Sequence, residues 1–312
     1  WGWFDGYYEI EKSLLASVAI LAYWVIFLVA EPLAIGRQQT RERVANHALA
    51  AGQAGIWLLA LYVALGENYR YWAAGVVAGM AAIYVAIGYL WGKRSKCDRT
   101  LVEQYFIQAI AFLVAATAIA LSEYQQVMAL AGEAALLAWV AQRRQVAAFR
   151  YAVFALLALT FFRLLLIPDM IVFQPIGSFQ LLVNDRGLAI LSLIAAMVLG
   201  SRWLRGGGDR YGQGVEMALG AGWCFSLFLL ITVETLDYFR FLAFTKGSLP
   251  LATSHGLTAN LTLALAWTVL AGLLVTLGSR ARSKLMSIAG FLVLELGFVW
   301  ALLIGWSYSP ET

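Results

Sequence analysis

Residues 261–303 read LTLALAWTVLAGLLVTLGSRARSKLMSIAGFLVLELGFVWALL. Two uncharged apolar runs flank a short knot of Arg280, Arg282 and Lys284, and the second run is interrupted by a single acid, Glu295. Each run is long enough to cross a bilayer, whose hydrocarbon layer takes about 20 residues of helix. A soluble protein has no use for two such runs back to back, because no core could cover both all round. The unit therefore reads as two membrane-spanning helices joined by a cationic turn.

The pattern extends along the chain. Ten apolar segments appear, at about 13–35, 47–66, 71–91, 101–122, 126–142, 149–167, 187–204, 213–235, 257–279 and 285–306. The sequence thus predicts an all-α, polytopic integral membrane protein of about ten transmembrane helices. It reads as a single domain over 1–312, built from hairpins at 13–66, 71–122, 126–167, 187–235 and 257–306. Composition agrees: 62% of the 312 residues are hydrophobic and 13% charged, where soluble domains are nearer half and a quarter. Mean hydropathy is +0.76.

The charges sort by connector. GRQQTRERVANH, GKRSKCDRT, QRRQVAAFR, SRWLRGGGDR and GSRARSK are basic, and together they hold 16 of the 22 Lys and Arg. GENYRYW, SEYQQ, Pro168–Arg186 and Asp237–Gly256 are neutral or acidic. Cationic connectors stay on the cytoplasmic side, so the basic turns are expected inside a bacterial inner membrane and both termini on the periplasmic side. The net charge of +4 is then a topology signal, and short turns between spans offer no surface for nucleic acid. Aromatic residues cluster where spans should meet the interface, as at Tyr69, Tyr71 and Trp72 or at Trp91 and Trp203. Small residues such as Gly75, Gly79, Gly214, Ala218, Gly220 and Gly222 read as close-packing positions.

A helix, a basic turn and a returning helix recur, with Trp139 and Trp267 each preceding a turn in two of the units. This periodicity points to growth by duplication. The stretches AFLVAATAIALSEYQQVMALAGEAALLAWVAQRR and FRYAVFALLALTFFRLLLIPD, with ETLDYF (Glu234–Phe239) and NLTLALAWTVLAGLLVTLGSRARSKLMSIAG, resemble a family of large bacterial membrane proteins. That family is catalogued as a domain of unknown function, number twenty-three thirty-nine. The resemblance lies in the second half and fades before about residue 95. It implies a multi-helix envelope protein and no established reaction. Two departures stand out: the family's last helix usually carries a Lys midway where this chain has LELGF with Glu295, and members are often far longer. With a chain that starts at Trp1, this suggests a processed chain or part of a longer one.

An ionisable group at membrane depth costs several kcal/mol unless it has a partner. Glu31 and Glu234 fall in the last turns of their expected spans, within reach of interfacial water, and Glu103 and Glu216 lie close to Arg99 and Arg210. Glu133 is deeper, ten residues before Arg143, or about 15 Å from the basic turn. Arg163, thirteen residues after Arg150, lies about 20 Å up the next helix. The sequence predicts that Glu133 and Arg163 pair, directly or through water, and set the register of their hairpin. Glu295 lies at a depth similar to Glu133 and reads as a polar station, either on a conduction path or bonded to Asn260, Thr262 or Thr268 on the preceding helix.

Catalytic candidates are lacking. Asp169, Asp185, Arg186, Asp237, Arg240 and Lys246 are scattered through the two acidic connectors with no nucleophile–base arrangement. Cys97 and Cys224 suggest neither disulfide nor metal. His47 and His255 fall on opposite sides of the expected membrane, which disfavours a bis-His haem. The expectation is a non-enzymatic accessory or structural subunit of an inner-membrane complex, with no metal or cofactor and room for a bound lipid or pigment. Its partners would be membrane lipids and other membrane subunits, met through the loops at 168–186 and 237–256. The competing reading is a transporter or flippase for a lipid or envelope precursor.

Overall fold

The computed structural model describes residues 10–35, 55–56, 69–93, 99–144, 147–174, 176–204, 210–245, 253–281 and 283–307. Nine α-helices run through them: α1 (Ile10–Ile35), α2 (Arg70–Gly92), α3 (Arg99–Ala120), α4 (Glu123–Arg144), α5 (Ala147–Leu165), α6 (Asp185–Trp203), α7 (Arg210–Thr245), α8 (Thr253–Arg280) and α9 (Lys284–Ser307). Two short 3₁₀ turns, Pro168–Met170 and Ile176–Ser178, break the connector between α5 and α6, and no strand occurs among the described residues. The all-α expectation holds.

The described residues show part of the expected set of ten spans. Among the described residues six helices are long and apolar enough to cross a membrane: α2, α6, and the parts of α3, α7, α8 and α9 at Val102–Ala120, Gly214–Thr245, Gly256–Arg280 and Lys284–Ile304. Helix α4, with Gln125, Gln126 and Glu133 along its length, is less apolar than these six. The helix expected over 47–66 lies outside the described residues, except for Gly55 and Ile56, which are helical.

The character of the exposed surface identifies its solvent. On α8, Leu261, Leu265, Val269, Leu273 and Leu277 recur every four residues and stand about half exposed, while Leu263, Trp267, Leu270, Ala271 and Leu274 are buried. A helix in water would carry charges on its outer face. Here both faces are apolar, so the outer one is matched to hydrocarbon.

The chain forms two compact units, residues 1–122 and 123–312. In the first, α2 packs along α3 around Tyr84, which stacks on Phe112 with ring centroids 5.4 Å apart and meets Tyr105 at 6.0 Å. Trp24 of α1 donates its indole N–H to the Tyr84 hydroxyl at 3.2 Å. At one end Arg70 Nη2 donates to the Ala120 carbonyl at 3.2 Å, placing a cation on a helix C-terminus whose last carbonyls lack partners.

In the second unit α4 packs on α5 and α6, α6 on α7, and α8 on both α7 and α9. The α8–α9 pair is the tightest. A Cβ built on Gly290 would sit 2.9 Å from both the Ala271 carbonyl oxygen and the Val275 nitrogen, which is backbone that cannot step aside. Gly290→Ala is therefore expected to pry the pair apart and cost about 1–3 kcal/mol, read as an earlier thermal transition in detergent. Gly222, whose Cβ would meet Met197 Sδ at 3.0 Å, and Gly220, against Leu285 at 3.0 Å, also serve close contact as expected. At Gly75, Gly79 and Gly214 a Cβ would meet nothing within 4 Å among the described residues.

Trp139 and Trp267, equivalent in the expected repeat, have different roles. Trp139 is partly exposed beneath the Arg143 guanidinium, 5.3 Å from its ring centroid. Trp267 is buried, donates to Thr232 Oγ1 at 2.9 Å and packs on Phe228 and Trp300.

Candidate functional site, a buried charge clamp

Chain length sets up the site. Helix α6 has 19 residues, about 28 Å, one hydrocarbon thickness; α7 has 36, about 54 Å. Both meet at the basic turn after Trp203, so α7 overshoots the far end of α6. The overshoot is YFRFLAFT (238–245), expected to be loop and found as helix. Glu234, expected in a last turn near water, is accordingly three turns from the end of α7 and only 2% exposed.

The start of α6 is specified by Asn184. Its side-chain oxygen accepts from the Gly187 N–H at 2.8 Å, an N-cap that satisfies one of the orphan donors of the first turn. The cap places Arg186 in that turn, pointing at α7, where it is completely buried. Its Nη2 donates to Glu234 Oε1 at 2.9 Å and its Nη1 to Asp237 Oδ2 at 2.6 Å. Nη1 also lies 3.3 Å from the Met170 carbonyl oxygen, and the guanidinium carbon lies 5.5 Å from the Phe173 ring centroid.

Each carboxylate reaches further. Glu234 accepts from Asn184 Nδ2 at 3.0 Å on both oxygens and from the Leu182 N–H at 2.8 Å. Asp237 accepts from the Phe173 N–H at 3.1 Å and from Arg240 Nη1 at 2.9 Å. Arg240, with its side chain 45% exposed, brings the balance to two cations and two anions. All four carboxylate oxygens thus accept bonds, and the group's chemistry is that of a clamp.

The clamp holds the 166–184 connector by its backbone at two points, Phe173 near its middle and Leu182 near its end. Leu182 has φ 62°, a left-handed conformation costly for a branched residue, and its carbonyl oxygen would lie 2.8 Å from any Cβ at position 187. Only glycine fits at 187. Phe179 meets Phe173 at 5.7 Å and Phe241 of the α7 overshoot at 6.0 Å. The connector exposes Leu166 at 74%, Ile171 at 69% and Val183 at 66%, with Leu181 and Leu182 near half, alongside the polar Gln174, Ser178 and Gln180.

The clamp was not foreseen as a unit. Arg186, Asp237 and Arg240 stood among the scattered charges, and Glu234 was assigned to interfacial water. One signal was available: Glu234, Asp237 and Arg240 recur at three-residue spacing in ETLDYFR, which stripes one helix face if the helix continues.

The sequence's own candidates lie elsewhere. Arg163, in the last turn of α5, donates its Nε to Gln126 Oε1 at 2.7 Å in the first turn of α4. Its observed partner is Gln126 rather than Glu133, which lies half-buried seven residues further along α4. The long guanidinium runs to the helix end rather than into the membrane's middle, where a charge is costlier. The same α4–α5 tie results. Replacing Gln126 and Arg163 singly and together should give a coupling of about 1 kcal/mol, measured by denaturant titration. Glu295 is exposed on α9. Thr262 and Thr268, offered as its partners, donate to the carbonyls of Thr258 and Ala264 on their own helix. Glu103 and Glu216 are half-buried. His47 lies outside the described residues, as do the side chains of Glu31 and His255 and the 246–252 part of the second acidic connector.

Apolar helices with apolar outer faces, closed at one end by an internal charge clamp, define a polytopic α-helical membrane protein. The family model described as "Predicted membrane protein (DUF2339)" matches residues 1–256, and the chain belongs to that family. The match begins well before residue 95, where the resemblance was expected to fade, and stops in the first turn of α8, short of most of the α8–α9 hairpin, which had been included. No curated protein matches. No solved structure matches.

Proposed function

We propose that this protein is a non-enzymatic, multi-pass component of a bacterial inner-membrane assembly, and that the 166–184 connector is its docking surface. The observation that carries the reading is the clamp. Four side-chain charges and two backbone bonds fix a connector that then displays Leu166, Ile171 and Val183 outward. A rigid apolar patch binds with less ordering cost than a mobile one. The concentration of 16 cationic residues in five connectors supports ten spans, with both termini and this patch on the periplasmic face. Packing of α2 on α3, α4 on α5, α6 on α7 and α8 on α9 supports the hairpin as the repeated unit.

The carrier reading draws less support. It needs Glu133, Arg163 and Glu295 to share a cavity, and Arg163 is bonded at the end of its helix while Glu295 is exposed. The docking reading is tested by purification from native membranes in mild detergent. Wild type should carry a stoichiometric partner that Ile171→Asp with Val183→Asp loses without a change in thermal stability. A chain that purifies with no other protein, or whose partner ignores the double change, contradicts it.

A further inference from the structure

Helix α9 places a carboxylate where lipid should be. Glu295 is the twelfth of 24 residues, about 17 Å from either end, too far for its side chain to reach the headgroups. It is exposed, and the large residues around it, Ile288, Phe291, Leu292, Phe298, Val299 and Leu302, are each half or more exposed. At 100° per residue these form one arc with Glu295 at its centre. The opposite side of α9 is filled: Gly290 is against Ala271 and Val275, Gly297 near Trp267, and Val293 buried among α8 side chains.

An acid facing hydrocarbon at mid-depth is strongly unfavourable, so a protein surface is the better partner for this face. Its spacing says which kind. Residues 288, 291, 295, 298 and 302 step by three and four, the seam of a helix that pairs with another at a shallow angle. A single polar residue in such a seam sets register and stoichiometry. In a two-fold pair with its axis along the membrane normal, each residue meets its own copy at equal depth. A carboxylic acid complements itself, being both donor and acceptor.

We propose that α9 is a self-association helix: two copies of this chain pair along the 288–302 seam, with the two Glu295 side chains hydrogen-bonded to each other. The pairing requires nothing of the 166–184 connector. The test uses the full chain in its membrane with Cys97→Ser and Cys224→Ala, and single cysteines at Phe298 or Leu302 on the seam, or at Leu265 on the exposed face of α8 as control. Under mild oxidation the seam positions should give roughly tenfold more disulfide-linked dimer than the control, because bridging needs Cα atoms within about 7 Å. Glu295→Leu should weaken the dimer about five- to thirtyfold, the equivalent of one interhelical hydrogen bond in lipid, while Glu295→Gln, still donor and acceptor, should retain it. The mass in detergent should follow the same order, which guards against a misfolded cysteine variant. Seam cysteines that do not cross-link above control, that link to another protein, or a Glu295→Leu variant as dimeric as wild type, each overturn the proposal.

Discussion

Arg186→Met should be among the most damaging single changes available in this chain. It removes the only cation that is fully buried in the clamp and leaves Glu234 and Asp237 facing each other with Arg240 alone to neutralise them. Removing one member of a buried ion pair costs about 3–5 kcal/mol, mainly through the stranded partner. The loss should appear as a large fall in the detergent unfolding transition. Arg186→Lys should rescue little. One ammonium cannot span two carboxylates that a planar fork reaches simultaneously. If the clamp is dispensable, both variants will melt with the wild type. The informative companion is Arg186→Met with Glu234→Gln and Asp237→Asn. It removes the uncompensated charge and should recover part of the loss.

Asp237→Ala should cost a similar amount, about 3–5 kcal/mol, with a more local signature. Asp237 is the acceptor for Arg186, Arg240 and the Phe173 N–H, so its loss unties the first half of the connector. The second half is still tied through the Leu182 N–H and Asn184 to Glu234. Amide exchange should therefore rise sharply across 171–176 and less across 180–184, while the α8–α9 pair, which shares no member of the clamp, stays protected. Uniform exchange through the whole connector would mean that its two halves are not held separately. In Glu234→Ala the asymmetry should reverse.

Much of the architecture is legible in the sequence because lipid imposes a simple rule: a spanning helix must be apolar on every side, and its cationic ends stay together. Helix ends at Gly92, Trp203 and Arg280 fall within two residues of the expected ends. The overshoot of α7 was hidden because Arg240 and the aromatics of YFRFLAFT look like an interfacial loop, and helix propensity alone does not separate the two. The clamp was hidden for a different reason. Arg186 and Glu234 are 48 residues apart, and nothing local in either segment says that they meet; only the geometry of α6 ending a full hydrocarbon width above a shared turn brings them level. Arg163 shows what matching by depth leaves out. Matching by depth alone ignores that a long cationic side chain is better accommodated at the helix end, which is where Gln126 is found. The direction of Glu295 was readable in principle from the three-and-four spacing around it, which marks an arc of large apolar residues with the acid at its centre.

The central claim is that the basic turns and the clamped connector lie on opposite faces of a membrane. Cysteine accessibility tests it directly, with Cys97→Ser as background and single cysteines at Ser283, in the turn before α9, and at Val183, on the exposed side of the connector. A membrane-impermeant maleimide should label Val183→Cys in intact cells and Ser283→Cys only after permeabilisation. Labelling of both from the same side would contradict the account.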